Sequence, residues 1–331
     1  MKIIRLGILG AGNIARKMAL TAKLLERQNR GVVLEAVASR EYGKAEAFCR
    51  EFGGRPYGSY EEMLRSDVDL VYVATPHSHH YEHSKACLEA GKAVICEKPL
   101  TPNARQCAAL MALAKEKNLL LCEAIWTRYL PSRRMIDDIL SSGILGEVRL
   151  LSAEFCQNIR NVPRIAQPEL AGGGLLDLGV YPINFAEMCF GRADRILASC
   201  VKTPLGVDET MHIQMYWDDG RSASIVSCIS AVSDSACRVQ GSKACLYVDN
   251  VNNPMHLEVR TRSGECLLTQ DCPEQLTGFE DELLEACQCI REGKTQCPSM
   301  PIQESLHIME VMDHVRAQCG IVYPFDREDV L

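Results

Sequence analysis

Glu97-Lys98-Pro99 closes the apolar run Ala93-Val94-Ile95-Cys96, and Gly10-Ala11-Gly12-Asn13-Ile14-Ala15 follows the apolar start Ile3 to Leu9. A lysine fixed by a following proline at the carboxyl end of a strand stands where open parallel sheets bind ligands. Gly10-x-Gly12-x-x-Ala15 has the mechanics of a dinucleotide turn: Gly10 permits the tight bend, Gly12 lets the backbone approach a pyrophosphate, and Ala15 lets helix pack on strand. Asn13 and Ile14 then open a helix at the phosphates. At the end of the second strand the chain reads Ala38-Ser39-Arg40, with Lys44 one helical turn on. NAD enzymes usually carry a carboxylate there, and Glu35 comes too early. A hydroxyl and two cations suit an adenosine 2'-phosphate, so NADP is the expected cofactor, with NAD as second choice.

Thr75-Pro76-His77 follows the run Leu70 to Ala74, so it opens toward the same crevice as Lys98. His79 and His83 are spaced for one helix face, but no H-E-x-x-H pattern and no third ligand accompany them, and no metal is expected. His79, His80 and His83 read as a helix start and polar surface. His77, nearest the strand end, is the exception.

The elements that must position these residues alternate through the first third of the chain. Strands at 3–9, 32–38, 70–74, 93–96 and 119–122 are separated by helical patterns at 13–27, 42–52, 80–90 and 103–117, and Ser59-x-x-Glu62 has capping-box form. This is the pattern of a doubly wound Rossmann domain over 1–123. After Glu123 come a helix near 132–140 and strands at 148–155, 196–201, 211–217, 223–230, 237–239, 244–248 and 257–260. Asp218-Asp219-Gly220-Arg221 is a hairpin turn. The expectation for 124–331 is an α+β domain on a large, mainly antiparallel open sheet, with helices at 177–189, 280–291 and 304–318 over one face. Ala223 to Ile229 is too apolar for a solvated strand, which predicts a homodimer through this sheet, or a higher oligomer built on it.

At 331 residues the chain exceeds what one core usually fills. A composition of 47% hydrophobic and 24% charged residues is that of an ordinary globular protein. The net charge of -7 offers no basic footprint for nucleic acid or an acidic membrane surface. No apolar run approaches the ~20 residues of a membrane span. The start Met1-Lys2-Ile3-Ile4 leads directly into a strand, without the three parts of a signal peptide, so a cytoplasmic protein is expected. The 17 cysteines include no C-x-x-C pair and read as small buried hydrophobes in a reducing compartment.

Four segments in order resemble the glucose-fructose oxidoreductase and inositol dehydrogenase (Gfo/Idh/MocA) family: Gly10 to Ala15, Ala74-Thr75-Pro76-His77, Cys96-Glu97-Lys98-Pro99, and Gly172-Gly173-Gly174-Leu175-Leu176-Asp177-Leu178-Gly179-Val180-Tyr181. Glu123 to Arg128, Ala153-Glu154-Phe155 and Val322-Tyr323-Pro324-Phe325 are similar to its dimeric dihydrodiol dehydrogenase branch. The resemblance implies oxidation of a sugar, polyol or trans-dihydrodiol with NADP. Lys98 matches the family's catalytic lysine and Asp177 its active-site aspartate. Tyr181 stands where the dihydrodiol branch carries tyrosine and many relatives carry histidine. Arg40 matches a phosphate-binding arginine, with Lys44 in place of a second. It also implies that Glu97 and Lys98 reach the cofactor, and that Trp126, Phe155, Phe279 and Arg128 line the substrate pocket. Carbinol oxidation needs a base for the hydroxyl proton as hydride leaves. Tyr181 is assigned that role, with Lys98 lowering its pKa and Asp177 orienting a hydroxyl. The rivals are Lys98 as the acid/base itself, or a non-catalytic NAD(P)-binding sensor or corepressor on the same fold.

Overall fold

The computed structural model describes residues 2–327, so the last four residues of the expected second domain, 328–331, lie outside the described residues. The chain divides into two compact units, Met1–Tyr129 with Gln275–His307, and Leu130–Glu274 with Ile308–Leu331.

In the first unit, short apolar runs form β1 (Ile4–Leu9), β2 (Val32–Ala38), β3 (Arg55–Tyr57), β4 (Leu70–Val73), β5 (Ala93–Glu97) and β6 (Leu121–Ala124). They lie in the order β3-β2-β1-β4-β5-β6, with every adjacent pair parallel. The connections carry α1 (Asn13–Arg27), α2 (Tyr42–Phe52), α3 (Tyr60–Leu64), α4 (His80–Glu89) and α5 (Ala104–Lys117). β4 and β5 are buried along their whole length, as strands covered on both faces must be. Strand order reverses between β1 and β4, which is where doubly wound sheets leave a crevice at their carboxyl ends. Ser59 starts α3 by accepting from Glu62 N at 3.2 Å. The edge strand β3 is missing from the sequence reading because three residues around Pro56 carry almost no strand signal.

The second unit holds α6 (Pro131–Ser141), β7 (Val148–Cys156), the short turn α7 (Pro163–Ala166), a π-helical turn at Leu175–Gly179 and α8 (Val180–Phe190). Then follow β8 (Arg195–Lys202), β9 (Asp208–Tyr216), β10 (Ser222–Cys228), β11 (Cys237–Gly241), β12 (Ala244–Val248), β13 (His256–Thr261) and β14 (Cys266–Asp271). Their order is β14-β13-β12-β11-β7-β10-β9-β8. β7 and β10 pair in parallel, and the other neighbours are antiparallel. One face carries Leu151, Phe155, Ile213, Met215, Ala223 and Ile225, all buried. The apolar run at Ala223 is accounted for by this inner face, because Ser224 points the other way in register with Ser152 and Gln214. The outer face still shows Leu150, Leu197 and Tyr247, at 47, 46 and 38% exposure.

The two remaining helices are α9 (Glu280–Arg291) and α10 (Ile302–Cys319). α9 does not cover the eight-stranded sheet as expected. Its Arg291 donates to the carbonyls of Lys2 at 3.0 Å and Gly31 at 2.7 Å, and Thr295 O accepts from Leu121 N at 3.2 Å. Residues 275–307 therefore group with the six-stranded sheet, whereas a single break after 123 would assign them to the other unit. Among the described residues, no helix is long and apolar enough to cross a membrane.

Gly241 tests the packing at the start of the eight-stranded sheet. A Cβ there would stand 2.1 Å from Leu145 O. Gly241→Ala should cost about 2 kcal/mol or more in urea denaturation. Gly43→Ala, in α2 with nothing within 4 Å of the added carbon, should be neutral or stabilising by up to about 1 kcal/mol.

Candidate active site

In the first unit the turn after β1 is shaped for backbone, not side chains. Gly10 has φ +100°, and a Cβ on it would meet Ala74 O at 2.7 Å. Gly12 is the N-cap of α1, with no side-chain cap and nothing within 4 Å of where its Cβ would be. The first amides of α1, including those of Asn13 and Ile14, thus face open space in the manner an anionic pyrophosphate requires. The residues present fit a dinucleotide.

At the end of β2, Ser39 is buried and its amide donates to Tyr57 O at 3.2 Å, while Arg40 is exposed. Lys44 is not a second free cation, because its Nζ lies 2.7 Å from Glu41 Oε1. Both side chains are exposed at this corner, and such a surface pair is worth little.

Of the histidines expected at a helix start and polar surface, His80 departs from that role, being completely buried, while His77, the exception, is buried as well. His80 Nδ1 lies 2.7 Å from Pro99 O and Nε2 lies 2.8 Å from Thr75 O, so this ring ties the end of β4 to the end of β5. Burial, with Lys98 adding to it, holds His80 at about 4, and the neutral ring donates to one carbonyl at a time. His83 pairs with Thr75 Oγ1 at 2.9 Å and packs edge-on to Tyr60. Pro76 precedes this turn as its N-cap. Among the described residues, no group of three or more His, Cys, Asp or Glu is arranged to hold a metal ion.

Lys98 is half-buried, and its peptide bond to Pro99 is cis. The Glu97 carboxylate turns inward, where Tyr72 Oη donates to Oε1 and Lys98 N donates to Oε2 at 3.2 Å. Behind it lies Glu282 of α9, 1% exposed, with both oxygens lacking a hydrogen-bond partner. Burial and the neighbouring Glu97 push the Glu282 acid well above the carboxylate range. Glu123 is likewise buried and raised by burial, while accepting from Leu100 N at 2.9 Å. Trp126 and Phe279 stack at 4.9 Å, and a Cβ on Gly278 would stand 2.3 Å from Trp126. Arg128, expected at the substrate, lies 3.9 Å from Glu304 as an ion pair within this unit.

In the second unit, Asp177 lies in the π turn and Tyr181 four residues on in α8. Both are buried, and Tyr181 packs edge-on to Phe155 of β7 at 5.5 Å and 84°. Two partners of this segment escaped the sequence reading. Arg164 donates from Nη1 to Asp177 Oδ1 at 2.8 Å and from Nη2 to Oδ2 at 3.3 Å. It lies in an irregular connection whose path no periodicity reveals. Asp208 is completely buried and accepts from Leu175 N at 2.5 Å, the first residue of the π turn. In sequence it looks like an ordinary turn acid beside Val207 and Glu209. Gly173 makes room for it, since a Cβ there would stand 2.1 Å from Asp208 Oδ1.

Residues 4–124 match the GFO/IDH/MocA family, an oxidoreductase family with an NAD-binding Rossmann fold, and residues 134–247 match the GFO/IDH/MocA C-terminal domain. The chain is 33% identical over 334 residues to trans-1,2-dihydrobenzene-1,2-diol dehydrogenase of Bos taurus, covering 98% of this chain and 99% of that one. The Homo sapiens protein of the same name is 32% identical over 333 residues, with the same coverage. Among solved structures, a 3-ketoreductase from Actinomadura kijaniata in complex with NADP and TDP-benzene superposes with a TM-score of 0.87. It is 28% identical, over 96% of this chain and 98% of that one.

Asp208 gives the Asp177 segment a pH-dependent foundation. Burial pushes its carboxyl up to about 7, against the amides of Leu175, Asp208 and Gly174 and the charge of Arg316. An unfolded aspartate titrates near ~3.9, so the folded chain keeps a proton that the unfolded chain loses. The stabilisation is fully present below about pH 4 and is lost as pH rises through about 7. Asp208→Asn removes this dependence. In urea titrations between pH 4 and 8 the wild type should lose on the order of 4 kcal/mol relative to the variant. Parallel stability curves would show that Asp208 does not titrate in this range.

Proposed function

The chain belongs to the GFO/IDH/MocA family of NAD(P)-dependent oxidoreductases, and from that premise we propose that it oxidises a secondary alcohol of a sugar, polyol or trans-dihydrodiol with NADP. The observation that carries this reading is the segment from Leu175 to Phe190, which holds a carboxylate, Asp177, and a phenol, Tyr181, one turn apart. Gly10, Gly12, Asn13 and Ile14 would hold the pyrophosphate, Ser39 and Arg40 the 2'-phosphate, and the strand ends at Thr75-Pro76-His77 and Glu97-Lys98 the nicotinamide side. When bound, the nicotinamide supplies the hydride acceptor for the carbinol carbon.

The protein's own task is the proton. In this reading Tyr181 Oη takes it from the substrate hydroxyl as the C–H bond breaks, and returns it in the reverse direction. A phenol titrates near ~10 in water, and bringing one near neutrality requires roughly 4 kcal/mol at ~1.36 per unit. A nearby cation can supply energy of that order, and Lys98, the lysine of the family pattern, is assigned that part. Asp177 accepts a substrate O–H and orients it. Trp126, Phe155 and Phe279 supply apolar walls. Seventeen cysteines with no C-x-x-C pair suit a reducing compartment, and a cytoplasmic location belongs to this reading. The outer face of the eight-stranded sheet, with Leu150, Leu197 and Tyr247 exposed, is read as a homodimer contact.

Two measurements test these assignments. Tyr181→Phe and Lys98→Met should each lower kcat by about 10² or more. Near-normal turnover in Tyr181→Phe with a collapse in Lys98→Met would make Lys98 the acid/base. Arg40→Asp should raise KM for NADP about tenfold or more and leave NAD nearly unchanged, because one lost charge-assisted contact is worth about 1.5 to 3 kcal/mol. Lys44→Ala should raise KM for NADP by a smaller factor, about threefold, since its exposed pair with Glu41 is weak enough to yield to a phosphate.

A further inference from the structure

Arg164 belongs to none of the motifs that identify the family, yet the chain around it is pinned on both sides. The amides of Ile159 and Arg160 both donate to Ile229 O at 2.9 Å, Gly172 N donates to Gln167 O at 3.1 Å, and Gly173 N donates to Ile165 O at 2.9 Å. Ile165 is completely buried between these anchors. A Cβ on Gly172 would stand 2.3 Å from Ile165 O, so any other residue there would push the turn away. Ala171 accepts φ +55°, a left-handed conformation uncommon outside glycine. This irregular segment is therefore held in place, and the side chain it presents to Asp177 is the Arg164 guanidinium.

The two-point contact has a chemical consequence. With both carboxylate oxygens receiving an Arg N–H, Asp177 acts as an acceptor and binds a group that brings its own O–H. A guanidinium has five N–H donors, and Asp177 takes two. The Arg164 side chain is 45% exposed where that of Asp177 is 6% exposed, so donors remain within reach of the solvent side. A fixed acceptor and a fixed donor side by side match two adjacent oxygens. One hydroxyl gives its proton to Asp177, and the neighbouring oxygen receives an N–H from Arg164. A lone hydroxyl uses half of the pair.

We propose that Arg164 is a specificity-determining residue that reads the hydroxyl adjacent to the one held by Asp177. The inference rests on Asp177 being a substrate contact, as the proposed function has it. Removing Arg164 then penalises vicinal diols selectively, because only they lose the N–H that the neighbouring oxygen accepts.

The test compares wild type, Arg164→Gln and Arg164→Lys on a vicinal diol and on the monoalcohol that lacks the neighbouring oxygen, with NADP. Each is read as kcat/KM, or as an inhibition constant where a compound is not turned over. The glutamine variant loses its hold on Asp177 for both compounds, and should lose about tenfold or more beyond that on the diol, mainly through KM. The lysine variant keeps the charge but not the planar fork and should fall between. Equal losses on both compounds, or none on either, in whichever variant folds, would overturn the inference and leave the dehydrogenase reading standing. A wild type that oxidises no sugar, polyol or diol would overturn that reading and this inference with it.

Discussion

A methyl group on Gly173 would stand 2.1 Å from Asp208 Oδ1, and one on Gly172 would stand 2.3 Å from Ile165 O. The missing side chains let two other parts of the second unit close on the start of one helix. From one side Asp208 takes the amide of Leu175; from the other the α7 turn delivers Arg164 to Asp177. Tyr323 Oη adds a third tie, donating to Gly172 O at 2.8 Å. The segment that offers Asp177 and Tyr181 is thus positioned by what approaches its glycines. The π turn fits the same account, since such wide turns often occur at functional sites.

The first unit solves its positioning problem with buried polar groups. Glu97, Glu123 and Glu282 all lie at most 7% exposed near the end of β5. Burial first, and then the neighbouring Glu97, raises the Glu282 acid, while Glu97 accepts from Tyr72 and from the Lys98 amide. A neutral acid costs far less to bury than a carboxylate. The product of this arrangement is a fixed backbone at Lys98. His80 works toward the same end by bridging the carbonyls of Thr75 and Pro99. Glu97 thereby gains a role its place in the motif does not suggest: its side chain serves the sheet beneath the lysine.

Much of this was legible in the chain. Repeated apolar strands with glycine turns specify a doubly wound parallel sheet, of whose six strands five can be read from the chain. The Gly10 turn and the Lys98 strand end could be placed because local spacing determines them. What escaped depends on contacts between distant residues. α9 has an ordinary amphipathic pattern, and only Arg291 reaching Lys2 and Gly31 reveals which sheet it serves. His80 carries the same letters as a surface histidine, and Asp208 those of a turn. In the stretch at Ala223 the alternation is faint in sequence, because Ser227 falls on the buried face and Val226 on the other. β3 and β14 are edge strands, where pairing on one side leaves little compositional trace.

The neighbours of Asp177 and Tyr181 also bear on which of them moves a proton. Asp177 is engaged at both oxygens by one guanidinium, and a proton placed on it would break a charge-assisted bond that the pinned Arg164 cannot follow elsewhere. It is suited to hold an O–H, not to remove its proton. Tyr181 has an aromatic edge, Phe155, against its ring, which orients the phenol. A rigid acceptor and a tunable phenol on one segment divide the labour that a lone base would have to perform. In the proposed mechanism the carboxylate holds a hydroxyl while the phenol moves the proton.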